Sequence, residues 1–140
     1  MKIALVNRLD LFLREKKKFS TDMFPLGLAI VASVMRNAGF KPVLFDTNIN
    51  DMSVDELSGK LVDFDVVCMS ILYGSTMGYY LELIEKIKKK NPNIKVVVGG
   101  PMPTSMPKEF LEQTSADVVV VGEGETTTVE LLNAVEKRMP

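Results

Sequence analysis

The side-chain types that usually carry acid–base, nucleophilic or metal chemistry are scarce in this sequence. The 140 residues include no histidine and a single cysteine, Cys68. Because histidine is the commonest general base and metal ligand, the hydroxyl groups of Ser70, Ser75 and Thr104 have no histidine to activate them. One cysteine excludes a disulfide framework, and its apolar neighbours predict an inert, buried thiol. The sequence therefore predicts neither a catalytic residue nor a protein-derived metal ligand.

Two glycine-rich stretches are the best candidates for a binding function. The valine run 96–98 ends in residues 99–104 (GGPMPT), and a second apolar run, 117–121, ends in residues 122–125 (GEGE). Glycine leaves the backbone bare, so a flat or bulky ligand can lie against it. A tight turn is the alternative explanation for the paired glycines, but the two prolines that follow them favour a ligand.

Five apolar runs alternate with amphipathic segments along the chain. The predicted strands are residues 3–6, 42–46, 66–71, 94–98 and 117–121, and the predicted helices begin at Pro25, at the Ser53 capping box, at Met77, near Pro107 and near Thr126. An unbroken alternation implies parallel strands joined by right-handed helical crossovers. We predict an α/β, flavodoxin-like (Rossmann-like) doubly wound fold with three α/β/α layers. Its five-stranded parallel sheet should have the order 2-1-3-4-5.

Residue spacing also predicts details of packing. In the first helix, Leu26, Ile30 and Val34 recur at helical spacing and should face the sheet. Small residues in the same helix would allow a close approach to the sheet. Met102 and Met106 are expected on an exposed loop, where they would form an adaptable apolar surface.

An open parallel sheet binds ligands at the carboxyl ends of its strands. This rim comprises residues 8–24, 72–78, 99–106 and 122–127. Strand 1 is not followed by a G-x-G-x-x-G motif, a P-loop or the phosphate loop of a flavodoxin, and strand 3 lacks the aspartate of a receiver domain. With these sites excluded, the rim is best suited to a large, flat, mostly apolar ligand, which would supply its own chemistry. Residues 8–24 are equally well explained as a functional loop or as a solvated excursion.

Length and charge limit the partners. The chain is long enough for one domain, residues 1–140. Seventeen basic and 18 acidic residues give a net charge of -1, which does not favour nucleic-acid binding. No apolar run is long enough for a signal-peptide core or a transmembrane helix. We therefore expect a cytoplasmic domain with neither a nucleic-acid nor a membrane partner.

Six short motifs occur in a fixed order over nearly the whole chain. They are residues 25–29 (PLGLA), 36–40 (RNAGF), Asp46, 69–72 (MSIL), 99–104 (GGPMPT) and 122–126 (GEGET). Each motif alone is common. Together they resemble the cobalamin (vitamin B12)-binding domain at the N-terminus of cobalamin-dependent radical S-adenosylmethionine enzymes.

The resemblance implies a corrin ring over the carboxyl edge of the sheet and a nucleotide tail in a slot near strands 3 and 4. The position of Ser70 matches the strand-3 serine of such folds, and Leu72 matches the apolar residue after it. The residues implied at the cobalamin site are Ser70, Leu72, Tyr73, Ser75, Thr76, Gly99, Gly100, Pro101, Met102, Gly122, Glu123 and Gly124. Two roles stay open. Tyr73 either stacks on a ring or covers the core, and Glu123 either complements a helix N-terminus or meets a catalytic domain or substrate.

Two motifs of cobalamin-dependent enzymes are missing. Without the histidine of Asp-x-His-x-x-Gly after strand 1, the resemblance implies a corrinoid in the base-off/His-off state. Without Cys-x-x-x-Cys-x-x-Cys, the iron-sulfur cluster and S-adenosylmethionine would belong to a catalytic domain absent from this chain. We therefore expect a non-catalytic fragment of a longer enzyme of methyltransferase or cyclase type. The alternative is a flavodoxin-like regulatory or protein-interaction domain that binds no corrinoid.

Overall fold

The computed structural model describes residues 1–8, 24–50, 52–72 and 74–138. The strands are β1 (Ile3–Asn7), β2 (Pro42–Asp46), β3 (Val66–Ser70), β4 (Lys95–Gly99) and β5 (Val118–Val119). The helices are α1 (Leu26–Asn37), α2 (Val54–Leu61), α3 (Met77–Lys90), α4 (Pro101–Ser105), α5 (Pro107–Gln113) and α6 (Glu125–Glu136), with a 3-10 turn at Gly74–Thr76.

The five strands form one parallel sheet in the order β2-β1-β3-β4-β5. The predicted fold class and strand order are confirmed. The register aligns Cys68 of β3 with Val97 of β4, and Ser70 with Gly99, so these strands end side by side. β5 is shorter than the predicted run 117–121, although the Val120 N–H still donates to the Val98 carbonyl at 2.8 Å.

Two apolar cores cover the two faces of the sheet, because side chains alternate along each strand. One core contains Val67, Met69, Val96 and Val98 and packs against α2, α3 and Phe110 of α5. The other lies under α1 and α6. Its buried members are Ile3, Leu5, Leu28, Met35, Phe40, Val66, Cys68, Val97, Val120 and Leu132.

The predicted inward face of α1 was wrong. Leu26 is 64% exposed and Ile30 is 41% exposed, whereas Leu28 and Met35 are buried. Both sets of residues satisfy helical spacing, so periodicity alone could not choose between them. The helix turns Leu28 and Met35 inward because they meet the apolar core shared with α6.

The loop predicted around Met102 is a short helix. Pro101 occupies the first turn of α4, a position that suits proline, and Met102 lies half-buried against the core of β3 and β4. Met106 is 43% exposed and follows that helix. Of the two methionines, only Met106 therefore lies exposed outside a helix.

Asp117 joins the start of β5 to β4 and α3. Its carboxylate accepts hydrogen bonds from the Val96 N–H at 2.7 Å and from Lys88 Nζ at 2.6 Å, and Lys95 Nζ lies 3.5 Å away. Burial raises the pKa of Asp117, but these donors and charges outweigh burial and hold the pKa below its ordinary value of 3.8.

We expect Asp117→Asn to lower the free energy of unfolding by about 1–2 kcal/mol at about pH 7, because it removes a charged acceptor with several donors. Since the folded pKa is the lower one, this stabilisation is present above the unfolded pKa and is lost as the pH falls through the folded pKa. Urea denaturation of both proteins at about pH 7 and about pH 3 measures the difference.

Asp55→Asn is the matched control for Asp117→Asn. The Asp55 carboxylate pairs with Lys86 at 2.6 Å on the surface, with the Asp55 side chain 77% exposed. This variant should change the stability much less, because exposed ion pairs contribute little. If Asp117→Asn lowered the free energy of unfolding by the same amount at neutral and at acid pH, the ionised Asp117 carboxylate would not be the source of the stabilisation.

Candidate functional site

A cavity of about 400 Å³ opens at the carboxyl edge of the sheet, between β3, β4 and the residues after β5 on one side and α1 and α6 on the other. We call it the edge slot. Its mouth is formed by exposed residues, among them Gly27, Leu72, Pro101, Gly122 and Glu123. The slot therefore lies where an open parallel sheet binds ligands.

The floor of the edge slot is apolar. It is formed by four buried residues, Leu28, Cys68, Val97 and Val120. These residues are the upper end of the core under α1 and α6. The slot is thus a continuation of that core toward the carboxyl edge, which would bury an apolar group presented from outside.

Glycine leaves room at several points of the lining. A Cβ atom at Gly27 or Gly122 would meet no heavy atom within 4 Å, and one at Gly99 would be 3.7 Å from Val120. At Gly124, a Cβ would approach Thr128 Oγ1 at 3.4 Å and Val120 Cγ1 at 3.6 Å. Side chains at these positions would occupy or narrow the slot.

Gly100 is a glycine for reasons internal to the protein. Its φ is +97°, and a Cβ there would lie 2.8 Å from the Ile71 carbonyl oxygen and 3.2 Å from Ser70 Oγ. The Met102 N–H donates to the same Ile71 carbonyl, and the Ile71 N–H donates to the Gly99 carbonyl. Only glycine therefore allows the end of β4 to pack this closely against the end of β3. This agrees with the alternative explanation of the paired glycines as a tight turn, although Gly100 also lines the slot.

Three hydroxyl groups belong to the lining. Thr104 Oγ1 accepts a hydrogen bond from the Gly122 N–H at 3.1 Å, which ties the rim after β4 to the rim after β5. Within the part of the chain that the structure describes, the Ser70 and Thr128 hydroxyls form no hydrogen bond. These two groups are available to a ligand, and Thr128 is only 4% exposed.

Cys68 is buried, as predicted, and burial raises the pKa of its thiol to about 12. The thiol is therefore neutral at physiological pH and contributes apolar surface to the floor rather than a nucleophile.

Tyr80 fixes the two strands that flank the switch point of the sheet. Its hydroxyl accepts from the Arg8 N–H at 2.9 Å, after β1, and donates to the Ser70 carbonyl at 3.0 Å, at the end of β3. Burial raises the pKa of Tyr80, so the phenol stays neutral and keeps its proton for Ser70. Tyr80 thereby holds the backbone of a slot residue in place.

Tyr80→Phe should lower the free energy of unfolding by about 1–3 kcal/mol, because it removes the buried hydroxyl that bridges the Arg8 N–H and the Ser70 carbonyl. Tyr79→Phe is the matched control, since it removes one hydroxyl that donates to the half-buried Met52 carbonyl at 3.1 Å. Urea denaturation compares the two variants. Equal losses of stability would show that the Tyr80 bridge is worth no more than an ordinary peripheral hydrogen bond.

The structure brings most of the predicted site residues together. Those that line the edge slot are Ser70, Leu72, Gly99, Gly100, Pro101, Gly122, Glu123 and Gly124. Ser75, Thr76 and Met102 do not line it. Thr76 is buried in the 3-10 turn before α3, and Met102 packs on the opposite side of the sheet. Tyr73 lies outside the described residues. That any of them contacts cobalamin stays a prediction.

Sequence reasoning missed the floor and the helical wall. The floor residues Cys68 and Val97 lie two positions before the predicted site residues Ser70 and Gly99, on the same face of the sheet. Val31 of α1 and Thr128 of α6 complete the wall. The alternation of side chains along a strand could have identified Cys68 and Val97. The wall residues could not be predicted in this way, because their position depends on which face of α1 turns inward.

The described residues provide neither a metal-binding cluster nor a membrane-spanning helix. They contain no cluster of three histidine, cysteine, aspartate or glutamate side chains arranged to hold a metal ion. None of the helices in those same ranges combines the length and apolarity needed to cross a bilayer. The cytoplasmic location stays a prediction.

Fold and slot together define a flavodoxin-like ligand-binding domain with its site at the carboxyl edge of the sheet. The chain belongs to the B12-binding domain family, whose model matches residues 16–132. The resemblance to the cobalamin-binding domain of radical S-adenosylmethionine enzymes is thereby confirmed.

Three similar proteins illustrate this membership. "Uncharacterized methyltransferase PH0819" of Pyrococcus horikoshii is 32% identical over 124 residues, covering 87% of this chain and 27% of that protein. Hopanoid C-3 methylase of Methylococcus capsulatus is 30% identical, covering 81% and 22% respectively. A solved structure of the radical S-adenosylmethionine methyltransferase TsrM from Kitasatospora setae, with cobalamin and a [4Fe-4S] cluster bound, matches with a TM-score of 0.81 at 18% identity, covering 99% of this chain and 27% of that one.

At that identity the match to TsrM shows a shared fold. The chain spans about a quarter of the length of each of these relatives.

Proposed function

We propose that this domain binds a cobalamin-type corrinoid, with the nucleotide tail in the edge slot and the corrin ring over the carboxyl edge of the sheet. The observation that carries the proposal is the edge slot itself: a cavity with bare backbone at its mouth and an apolar floor. Membership of the B12-binding domain family supports it.

The slot residues fit a planar aromatic base at the end of a tail. A volume of about 400 Å³ lies within the range of roughly 300–1,000 Å³ typical of small-molecule sites. The floor offers apolar contacts to both the rings and the methyl groups of a base. The Ser70 hydroxyl at the end of β3 is free to donate to a ring nitrogen, and the bare backbone at Gly99 allows a close approach.

The residues at the mouth fit the edge of a large ring. Leu72 is 37% exposed, and Pro101, another apolar residue of the mouth, is exposed as well. Apolar side chains held at such an edge would lose their contact with water when a corrin covers them. Cobalamin contacts of Ser75, Thr76 and Met102 would then involve the periphery of the ring rather than the tail.

We infer that the corrinoid is bound in the base-off/His-off state. A tail that occupies the slot keeps its base away from cobalt, and the 140 residues contain no histidine to replace it. A bound corrinoid supplies methyl-transfer or one-electron chemistry, which no side chain of the edge slot provides. The residues of this chain bind and orient the group and keep its tail out of water.

We further propose that the bound corrinoid serves a radical S-adenosylmethionine catalytic domain, which would hold the iron-sulfur cluster and S-adenosylmethionine. Support comes from the relatives, which are about four times as long as this chain and include enzymes named as methyltransferases. On this view the chain alone catalyses nothing. On this proposal, Glu123, which is exposed at the mouth, would face that domain.

Electron paramagnetic resonance of cob(II)alamin tests the proposal on the purified chain. Cob(II)alamin that co-elutes with the protein on a sizing column should give a spectrum without nitrogen splitting of the cobalt lines. Splitting from a coordinated nitrogen in the bound form would overturn the base-off/His-off state. Absence of any bound corrinoid after incubation with cob(II)alamin or hydroxocobalamin would overturn the proposed function and favour the regulatory or protein-interaction alternative.

A further inference from the structure

The chemistry of the edge slot restricts which base can be buried in it. Leu28, Cys68, Val97 and Val120 form a floor without a hydrogen-bonding group that a ligand could use at neutral pH, because the Cys68 thiol is a weak donor and stays protonated. A polar group of the base that reaches this floor would lose its water and find no partner.

The walls supply few polar partners. Within the described ranges, the Ser70 and Thr128 hydroxyls are without a hydrogen bond and line the slot. Thr104 Oγ1 already accepts from the Gly122 N–H. The carboxylates of Glu123 and Glu125 also border the slot, Glu123 at the exposed mouth and half-buried Glu125 at the start of α6. The polar side chains of the slot therefore lie on its walls and at its mouth, and none belongs to the floor.

We propose that the edge slot selects corrinoids whose lower base is of the benzimidazole type and rejects those with a purine base. This inference rests on the proposed function, since it requires the nucleotide tail to enter the slot. A dimethylbenzimidazole that has left cobalt presents one free ring nitrogen and two methyl groups. The nitrogen can accept from Ser70 or Thr128, and the methyl groups match the apolar floor.

A purine fits the same slot worse. An adenine attached through one ring nitrogen still carries three ring-nitrogen acceptors and an amino group, all of which were hydrated in free solution. The polar side chains of the slot lie on its walls and mouth, so any polar site of adenine that faces the apolar floor would be buried unpaired. Each unpaired group weakens binding by about tenfold or more.

Competition between two corrinoids tests the selectivity on the purified chain. Dimethylbenzimidazolyl and adeninyl cobamides, both reduced to the cob(II)amide form, are compared by equilibrium dialysis with absorbance detection. Each affinity is corrected for the cost of detaching the base from cobalt, which is measured by acid titration of the free corrinoid. The adeninyl form should bind at least about tenfold more weakly. Equal affinities would overturn the inference while leaving the proposed function intact. Failure of both forms to bind would instead count against the proposed function, and with it against this inference.

A pair of neighbouring substitutions identifies the floor as the source of the selectivity. Val97→Thr places a hydroxyl on the floor with little change of shape, whereas Val98→Thr places one in the core on the other face of the sheet. The preference of the protein is the affinity for the dimethylbenzimidazolyl cobamide divided by the affinity for the adeninyl cobamide. This ratio should fall several-fold in Val97→Thr and stay unchanged in Val98→Thr. The ratio is measured within one protein, so a loss of stability common to both ligands cancels.

Cys68→Ser provides the same test from the neighbouring strand if Val97→Thr does not fold. It exchanges a weakly polar group for a hydroxyl at a floor position aligned with Val97. If the preference for the dimethylbenzimidazolyl cobamide falls several-fold in Cys68→Ser, the result supports the inference. A ratio that equals the wild-type value in either floor variant would overturn it, because added hydrogen-bonding capacity on the floor would then have no effect on the choice of base.

Discussion

Gly27→Leu is expected to weaken cobalamin binding by at least about tenfold without destabilising the fold, because forced overpacking of a filled site costs about 1–3 kcal/mol. Gly27 is the second residue of α1 and lines the mouth of the edge slot. A Cβ there would meet no heavy atom within 4 Å, so the free protein can accept a side chain. Leucine also favours the helix over glycine by up to about 1 kcal/mol.

Gly78→Leu is the matched control for Gly27→Leu. Gly78 is likewise the second residue of its helix, α3, is exposed and has open space around a Cβ, but it does not line the slot. Its affinity for hydroxocobalamin, measured by absorbance titration, should equal that of the wild type. If Gly27→Leu bound hydroxocobalamin as tightly as Gly78→Leu does, the nucleotide tail would not be bound in the edge slot.

Gly100→Ala should lower the free energy of unfolding by about 2–5 kcal/mol, more than alanine at any other glycine of the chain. The positive φ of +97° disfavours any side chain, and the Cβ would stand 2.8 Å from the Ile71 carbonyl oxygen and 3.1 Å from the Ile71 nitrogen. These are backbone atoms that cannot move without breaking the contact between β3 and β4. Urea denaturation measures the loss.

The adjacent residue gives the control for Gly100→Ala. A Cβ at Gly99 would meet Val120 at 3.7 Å, an ordinary contact, and its φ is not positive. Gly99→Ala should therefore keep nearly all of the stability, while its methyl group narrows the slot and weakens cobalamin binding. Equal free energies of unfolding for Gly99→Ala and Gly100→Ala would mean that the packing of β3 against β4 does not require glycine at position 100.

Local signals in the sequence were sufficient for the elements of this fold. The Ser53 capping box is present, with the Glu56 N–H donating to Ser53 Oγ at 3.3 Å and the Ser53 N–H donating to Glu56 Oε2 at 2.8 Å. The contiguous apolar strands also predicted a sheet covered on both faces, which the structure has. These features depend on residues close in sequence, where pattern and structure agree.

The features that define the slot depend on contacts between distant residues. Whether Leu26 or Leu28 of α1 turned inward was decided by the core under α6, since both satisfied the helical period. The need for glycine at position 100 comes from a carbonyl on another strand, that of Ile71. The bridge that Tyr80 makes between β1 and β3 spans 72 residues of sequence to Arg8. No local pattern carries such information.

The edge slot differs from the glycine-lined rim that the sequence predicted in one physical respect. The rim suggested a surface on which backbone and shape alone hold a ligand. The structure adds depth, because the core under α1 and α6 continues upward into the floor formed by Cys68, Val97, Val120 and Leu28. A ligand with a detachable aromatic tail therefore gains more from this site than a flat ring alone.

A comparison of cobalamin with cobinamide, which lacks the nucleotide tail, tests the central claim most directly. Cob(II)alamin should bind the wild-type chain at least about tenfold more tightly than cob(II)inamide, because only cobalamin can bury a base on the floor of the slot. The comparison is made after the cost of detaching the base from cobalt, measured by acid titration of free cob(II)alamin, has been added back. In Gly27→Leu, cobalamin should lose more affinity than cobinamide, because the added side chain narrows the entrance for the tail. Equal corrected affinities of the wild-type chain for the two corrinoids would contradict the assignment of the edge slot to the tail.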